Sequence, residues 1–117
     1  MHDFRRLRAW QRSRELVVAP HPFLRRFPRE DHGVLASQLR RAALSIPSCI
    51  AEGCGVGSRA ETIRFLKMAS RSAFETESHL QIAHDLHYLP PKATEQLLAS
   101  TKSIQRMLTS LIARIPE

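Results

Sequence analysis

The feature that most constrains this chain is the stretch at residues 37–53, where a helix would have almost no side free for water. Leu44 and Ala51 fall on one side of such a helix. The opposite side carries small and apolar residues at steps of four and three, the spacing of one helical stripe: Leu35, Leu39, Ala42, Ile46, Ile50 and Gly53. Two apolar sides predict two packing partners. In a chain of 117 residues, we expect the second partner to be another copy of the chain.

Polar residues form a third stripe of this helix, and further charged residues follow in the next helical segment. Because a buried charge without a partner is costly, charged side chains at core spacing are expected to be paired. We expect one of two adjacent arginines to pair with one of three glutamates, inside the bundle or across a subunit interface, and so to fix the helix register. The arginines are Arg40 and Arg41, and the glutamates are Glu52, Glu75 and Glu77. Together with Gln38, these are the predicted structural and interface residues.

Prolines divide the first half of the chain. Apolar periodicity predicts a first helix over residues 5–26, but Pro20 and Pro22 each remove a backbone donor and obstruct the preceding turn. We therefore expect a break or sharp kink near residues 18–22, followed by a loop over residues 27–33. The second helix is expected to span residues 33–52, with a kink near residues 43–46 because Pro47 lies inside it.

Two long helices are predicted in the second half of the chain. A glycine-rich segment at residues 53–57 ends the second helix, and Ser58 with Glu61 forms a capping box that starts the third. With Arg59, this helix start also leaves a weak anion site open. The third helix should run from residue 59 to about residue 87, and Pro91 should lie in the first turn of the fourth. The expected core residues are Leu66, Ala69, Ala73, Thr76, Leu80 and Ala83, then Leu97, Thr101, Ile104, Leu108, Leu111 and Ile115.

Short connections between four amphipathic segments predict an all-α fold, an up-down-up-down four-helix bundle in a single domain over residues 1–117. A content of 43% hydrophobic and 25% charged residues is typical of a soluble globular protein. No apolar run has the length of a membrane span, and no apolar signal core follows the N-terminus. Cys49 and Cys54 are interpreted as thiols of a reducing compartment. We therefore expect a cytoplasmic protein without a membrane partner.

Positive charge is concentrated in the first third of the chain. Residues 1–41 hold ten arginines but only four acidic residues, and so carry +6 of the net charge of +7. The planar fork of Arg suits phosphate oxygens and favours a polyanionic partner, whereas the alternative is a solvated basic face that only keeps the protein soluble. Trp10 and the phenylalanines are interpreted as core, so few aromatic rings are free to stack on bases. The predicted nucleic-acid-binding residues are Arg5, Arg6, Arg8, Arg12, Arg14, Arg25, Arg26 and Arg29.

A series of motifs runs along most of the chain: Trp10-Gln11, Glu15-Leu16, Phe27-Pro28, Ser37-Gln38-Leu39-Arg40-Arg41-Ala42-Ala43, Ser45-Ile46-Pro47-Ser48, Ile50-Ala51-Glu52-Gly53, Arg64-Phe65-Leu66, Ala69, Ser72, Glu75, Glu77, Asp85-Leu86 and Tyr88-Leu89. In these residues the chain is similar to the four-helix-bundle family of proteins encoded in intervening sequences of bacterial 23S ribosomal RNA genes, which includes the accessory variability protein of diversity-generating retroelements. Cys49 departs from the usual Asn of the family, and Pro20 and Pro22 fall where it usually has an unbroken helix.

The resemblance implies a non-enzymatic, ring-forming homo-oligomer, typically a pentamer, with a basic surface and no cofactor. In retroelements such a ring assists a reverse transcriptase and binds nucleic acid, whereas its role in ribosomal RNA insertions is not established. The leading hypothesis is therefore an accessory oligomer that binds RNA or DNA with little sequence preference. The alternative is a structural protein–protein interaction module with no nucleic-acid partner.

The spacing of the polar residues does not favour a catalytic or metal site. A di-metal bundle needs inward Glu-x-x-His motifs on two helices, but Glu75 precedes His79 by four residues and no second motif follows. Arg26 and His32 have a spacing like that of the HEPN ribonucleases, yet they flank Pro28 in an expected loop. The sequence therefore predicts no catalytic residue, no metal and no enzyme activity.

Overall fold

Helices make up nearly all of the computed structural model, which describes residues 3–116. A 3₁₀ turn, Phe4–Arg6, precedes the first α-helix, and a single π turn, His32–Ala36, leads into the fourth. Residues 3–116 contain no strand. The protein measures 44 × 24 × 20 Å. The α-helices are α1 (Arg8–Val18), α2 (His21–Leu24), α3 (Arg29–Asp31), α4 (Ser37–Gly55), α5 (Arg59–Asp85) and α6 (Pro91–Ala113).

The four longer helices form a closed bundle in which each helix packs against two neighbours. α4 lies between α1 and α5, and α6 lies between α5 and α1. The short connections at residues 56–58 and 86–90 make α5 antiparallel to both α4 and α6. The start of α1, at Leu7 and Ala9, lies beside Met107 and Leu111 near the end of α6, so these two helices are also antiparallel. The predicted up-down-up-down four-helix bundle is thus confirmed.

The core follows the predicted helical stripes. Every member of the stripe on α4, from Leu35 to Gly53, is buried, and the six predicted core residues of α5 are completely inaccessible to solvent. Thr76 and Thr101 are buried, but their hydroxyl groups keep hydrogen-bond partners. Each hydroxyl donates to the carbonyl oxygen four residues earlier, at 2.8 Å for Thr76 and 2.7 Å for Thr101. On α6, the predicted stripe is buried as far as Leu108 and half-buried beyond it.

The first half of the chain differs from the expectation in two places. The break near residues 18–22 is confirmed, since α1 ends at Val18 and the short α2 follows. α1 begins at Arg8 rather than at residue 5, because the Asp3 carboxylate caps the 3₁₀ turn instead, accepting from the Arg5 amide at 3.0 Å. The loop expected over residues 27–33 is wrong: Pro28 is extended and α3 starts directly after it. α4 runs through Pro47 and ends at Gly55.

The end of α5 is joined to this irregular segment by one tyrosine. α5 ends in a Schellman motif, in which the amide of Tyr88 donates to the carbonyl of Ala83 and His87 takes a left-handed conformation at φ 63°. The Tyr88 hydroxyl donates to the Asp31 carboxylate, and its ring lies 5.0 Å from the Phe27 ring, centroid to centroid. These contacts fix α3 against the α5–α6 connection. The hydrogen bond to Asp31 raises the pKa of Tyr88 to about 12.

Tyr88 is the only tyrosine of the chain, so its titration can be followed directly by the ultraviolet absorbance of tyrosinate. We expect a midpoint near 12 in the folded protein, against the ordinary value of 10.0. Because the folded-state pKa is raised, the stabilisation from this hydrogen bond is complete below pH 10 and is lost as the pH rises to 12. Asp31→Ala should return the midpoint toward 10, whereas the neighbouring Glu30→Ala should leave it near 12. Equal midpoints in the two variants would contradict the assignment.

α4 and α5 are in close contact where Gly53 faces the first turns of α5. A Cβ atom on Gly53 would lie 3.2 Å from Phe65 Cβ and 3.5 Å from the carbonyl oxygen of Thr62. The Thr62 hydroxyl also donates to the Gly53 carbonyl, at 3.0 Å. The predicted capping box starts α5 at this point, with the Glu61 amide donating to the Ser58 hydroxyl at 3.1 Å. The absence of a side chain at Gly53 therefore lets the two helices meet at their connection.

A larger residue at position 53 should force α4 and α5 apart. We expect Gly53→Leu to lower the free energy of unfolding by about 1–3 kcal/mol, the usual cost of overpacking. Gly55→Leu is the matched control, because nothing lies within 4 Å of a Cβ at that position. It should leave stability unchanged or raise it by up to about 1 kcal/mol through helix propensity. Urea denaturation followed by circular dichroism measures both, and a tolerated Gly53→Leu would refute the close approach.

Candidate nucleic-acid interface

All eight arginines predicted to bind nucleic acid are exposed. They form two groups at opposite ends of the bundle, since Arg5, Arg6 and Arg8 precede or begin α1 while the group at residues 25–29 follows α2. Arg5 pairs with Asp3 at 2.9 Å, and Arg12 approaches Glu15 at 3.8 Å. The other six arginines have no ion-pair partner among residues 3–116. Most of the predicted basic surface is therefore available to an anion from outside the chain.

Two of these arginines form cation–π contacts with aromatic rings. The guanidinium of Arg14 lies 5.6 Å from the centre of the Trp10 ring, and that of Arg5 lies 5.7 Å from the Phe4 ring. Two hydrogen bonds from the Arg5 side chain to Asp3 hold the pKa of Asp3 below its usual value. Arg5 is therefore partly neutralised by its own neighbour, while the charge of Arg14 stays unopposed.

A basic groove lies where the start of α1 meets the end of α6. It has a volume of about 470 Å³ and an apolar floor that includes Leu7 and Met107. No acidic residue of the described chain lines it. Two of its arginines were predicted from the basic first third of the chain, but two come from the far end of the sequence. We call it the α1–α6 groove, and its charged residues are Arg6, Arg8, Arg106 and Arg114.

Sequence analysis missed Arg106 and Arg114 because each stands alone among neutral residues. Charge density along the chain cannot identify such positions. The signal that could have found them is topological, since an up-down-up-down bundle places the end of the last helix beside the start of the first. Arg106 and Arg114 are both exposed and lie about two helical turns apart, so they face the same neighbour.

The sequence analysis expected Trp10 and all the phenylalanines to lie in the core, but one of them does not. Phe27 is buried, and Phe4 packs edge-on against the half-buried Trp10 with ring centroids 5.0 Å apart. Phe74 departs from the prediction, because 58% of it is exposed on the outer side of α5. The sequence did not reveal the exposure of Phe74, because it lies next to the buried stripe of α5 and helical spacing alone does not say how wide the buried face is.

The polar residues of α4 are not paired as expected within one chain. Arg40, Arg41 and Glu52 are exposed, as is Gln38, and no ion pair joins these residues to one another in the described structure. Their charges stay hydrated, so no desolvation cost demands a partner. The intramolecular form of the pairing hypothesis is therefore wrong, and the form across a subunit interface stays a prediction.

The two glutamates of α5 have partners of another kind. Glu75 contacts His79 on the same helix at 3.1 Å. The half-buried Glu77 accepts a hydrogen bond of 2.8 Å from Gln105, which joins α5 to α6. Glu77 thus links two helices, but through an amide on α6 and not through the expected arginine on α4.

Large apolar side chains remain exposed at Val18 on α1, at Val34 in the π turn, and on α4 and α5. Leu44, the residue opposite the buried stripe of α4, is 53% exposed, and Ala51 is half-buried. On α5, Phe74 is followed at multiples of four residues by Ile82 and Leu86, which are 44% and 47% exposed. A spacing of four places these three side chains along one ridge of the helix. We call this the α5 ridge.

The cysteines and the possible metal ligands of residues 3–116 do not form a metal site. Cys49 is buried, Cys54 is half-buried, and burial raises the pKa of the Cys54 thiol. Among residues 3–116, no group of three or more His, Cys, Asp or Glu side chains is placed to hold a metal ion. Of the helices described, none is both long and apolar enough to cross a membrane.

Comparison with known proteins agrees with this fold. A crystal structure of a protein of unknown function, from the S23 ribosomal protein family of Bacteroides thetaiotaomicron VPI-5482, superimposes with a TM-score of 0.81. The two sequences are 25% identical, and the match covers 90% of this chain and 95% of that one. No curated protein matches the chain. Residues 5–110 match the family model described as 23S rRNA-intervening sequence protein, and the chain therefore belongs to that family.

Proposed function

We propose that this protein is a non-enzymatic, self-associating nucleic-acid-binding protein that contacts phosphates with little sequence preference. The observation that carries the proposal is the set of exposed arginines without an acidic partner in the described chain. A guanidinium that no carboxylate neutralises can displace counterions from a nucleic-acid backbone, and this displacement drives non-specific binding. The net charge of +7 favours the same kind of partner.

Recognition of bases has less support in the structure than recognition of phosphates. Sequence-tolerant binding of single strands commonly uses exposed aromatic rings as stacking platforms. Here Phe27 is buried, and Phe4 and Trp10 are engaged with each other and with arginines. Phe74 is exposed and borders a depression that is also lined by Arg64, Lys67 and Arg71, but it lies on the α5 ridge and not beside the arginines of α1. Contacts to the backbone phosphates therefore supply most of the expected affinity.

Binding should depend steeply on salt and only weakly on sequence. Fluorescence anisotropy with labelled RNA and DNA of several unrelated sequences measures both. With about six phosphate contacts, affinity should fall by roughly 10³-fold between about 50 and 200 mM salt. Replacing Arg5, Arg6, Arg8 and Arg12 by Ser should weaken binding without changing the oligomer mass. Absence of binding at low salt would favour the alternative, an interaction module with no nucleic-acid partner.

Self-association is supported by the apolar side chains that the isolated chain leaves exposed. Leu44 lies on α4, whereas the α5 ridge lies on the next helix. Two different apolar surfaces suit a head-to-tail contact, in which one surface of each subunit meets the other surface of its neighbour, and such contacts close into rings. A homopentamer, the assembly expected from the resemblance, is a ring of this type.

The mass of the assembly tests this part of the proposal. Light scattering coupled to size exclusion should give several times the chain mass of 13.3 kDa. Phe74→Glu places a charge on the α5 ridge and should shift the mass toward that of one chain. Gln96→Glu adds the same charge at an exposed position of another helix, α6, and should not. A parent protein that is monomeric at micromolar concentration would exclude the ring.

The biological setting is the finer part of the proposal. In one setting the protein assists the reverse transcriptase of a diversity-generating retroelement, and in the other it belongs to an intervening sequence of a 23S ribosomal RNA gene. The gene neighbourhood separates them, since the first requires an adjoining reverse transcriptase with a variable repeat and the second an enclosing ribosomal RNA gene. Both settings place the protein in the cytoplasm, where nucleic acid is accessible to it.

A further inference from the structure

The α1–α6 groove concentrates like charges from the two ends of the chain. Arg6 comes from the 3₁₀ turn and Arg8 from the first turn of α1, while Arg106 lies on α6 and Arg114 directly follows its last residue. Nothing acidic among the described residues lines the groove, so the four guanidinium groups repel one another across it. A bound polyanion would relieve this repulsion, so the electrostatics of the groove favour the binding of a polyanion.

The dimensions of the groove suit a chain of phosphates better than a single anion. Arg114, just after α6, follows Arg106 by eight residues, which corresponds to about 12 Å along a helix. That distance exceeds the axial spacing of successive phosphates, about 3.4 Å per strand, several-fold. Among the described residues, Ser110 is the only neutral polar side chain that lines the groove, so its apolar floor offers little to a polar head group. A nucleic-acid backbone can place successive phosphates beside both arginines.

Arginine charge continues beyond the groove in one direction. Arg114 also borders a depression of about 290 Å³ that is lined by Arg59 and by the segment from Val56 to Ser58 at the start of α5. Arg114 therefore connects the α1–α6 groove with a fifth arginine across the end of the bundle. A strand leaving the groove on that side would meet positive charge again.

The opposite end of the bundle is less suited to a polyanion. Among the described residues, the depression there is lined by one arginine, Arg26, together with His84 and His87. The α1–α6 groove gathers four arginines, so it presents the higher concentration of positive charge to a phosphate backbone. The two basic groups that looked equivalent in the sequence are therefore unequal.

We propose that the α1–α6 groove is the main site where this protein holds the phosphodiester backbone of a nucleic acid. The inference rests on the nucleic-acid binding proposed above and assigns it to one place. Arg106 and Arg114 contribute to this site as much as the arginines at the start of the chain. The cluster at residues 25–29 is peripheral to it.

Two double variants with the same loss of charge test the assignment. Arg106→Ser with Arg114→Ser alters the groove, and Arg25→Ser with Arg26→Ser alters the other end. With a labelled single-stranded RNA of mixed sequence, the groove variant should lose about tenfold or more in affinity. Its salt dependence should fall by about 1.4 in log–log slope, since each single-strand phosphate contact contributes about 0.7. The control should stay within about threefold of the parent. Equal losses in the two variants would overturn the assignment.

A second pair guards against a defect in folding. Arg6→Gln with Arg114→Gln removes one arginine from each wall of the groove and should give the same loss, with the circular dichroism and oligomer mass of the parent. A parent that binds no nucleic acid refutes the proposed function itself. A parent that binds, with groove variants that bind equally well, refutes only the site. Displacement of the RNA by polyglutamate at equal charge concentration would assign the groove to an acidic protein partner instead.

Discussion

The antiparallel packing of α4 on α5 is the contact on which the rest of the bundle depends. It is more extensive than that of any other helix pair described, and it includes Ile46 and Ile50 of α4 and Leu66 of α5, all completely buried. The hydroxyl of Ser72 donates to that of Ser45 across this contact at 2.9 Å, so even its polar atoms are satisfied. Both helices are longer than α1, which packs on the surface that α4 and α6 provide.

The sequence predicted those parts of the fold that depend on periodicity and on local capping. The stripes of α4 and α5 and the cap at Ser58 follow from spacing and residue type within one segment, and the structure confirms them. The short α3 was missed because its place depends on Tyr88 reaching Asp31 from a distant part of the chain. No local pattern encodes such a contact, and the same holds for the approach of α6 to α1.

The candidate site was only half predictable for a related reason. Clusters of arginine are visible in a sequence, but their electrostatic value depends on which acidic side chains the fold brings beside them. Arg5 forms an ion pair with Asp3, which neutralises part of its charge, and of the cluster at residues 25–29 Arg26 alone lines the neighbouring depression. Arg106, which no local pattern distinguishes, lies instead in a groove that no described acid lines. Exposure and local charge together, and not charge density alone, identify the surface that a polyanion would contact.

The walls of the α1–α6 groove come from the first and the last helix of the bundle, so the groove exists only when the bundle is closed. Loop-closure entropy opposes a contact between such distant segments, and contacts of this kind tend to form late in folding. If α6 detaches from the bundle, the chain keeps all its arginines, but those of the two groove walls are no longer close to one another. Any ligand that requires both walls therefore binds the closed bundle alone and, by mass action, holds the first and last helices together.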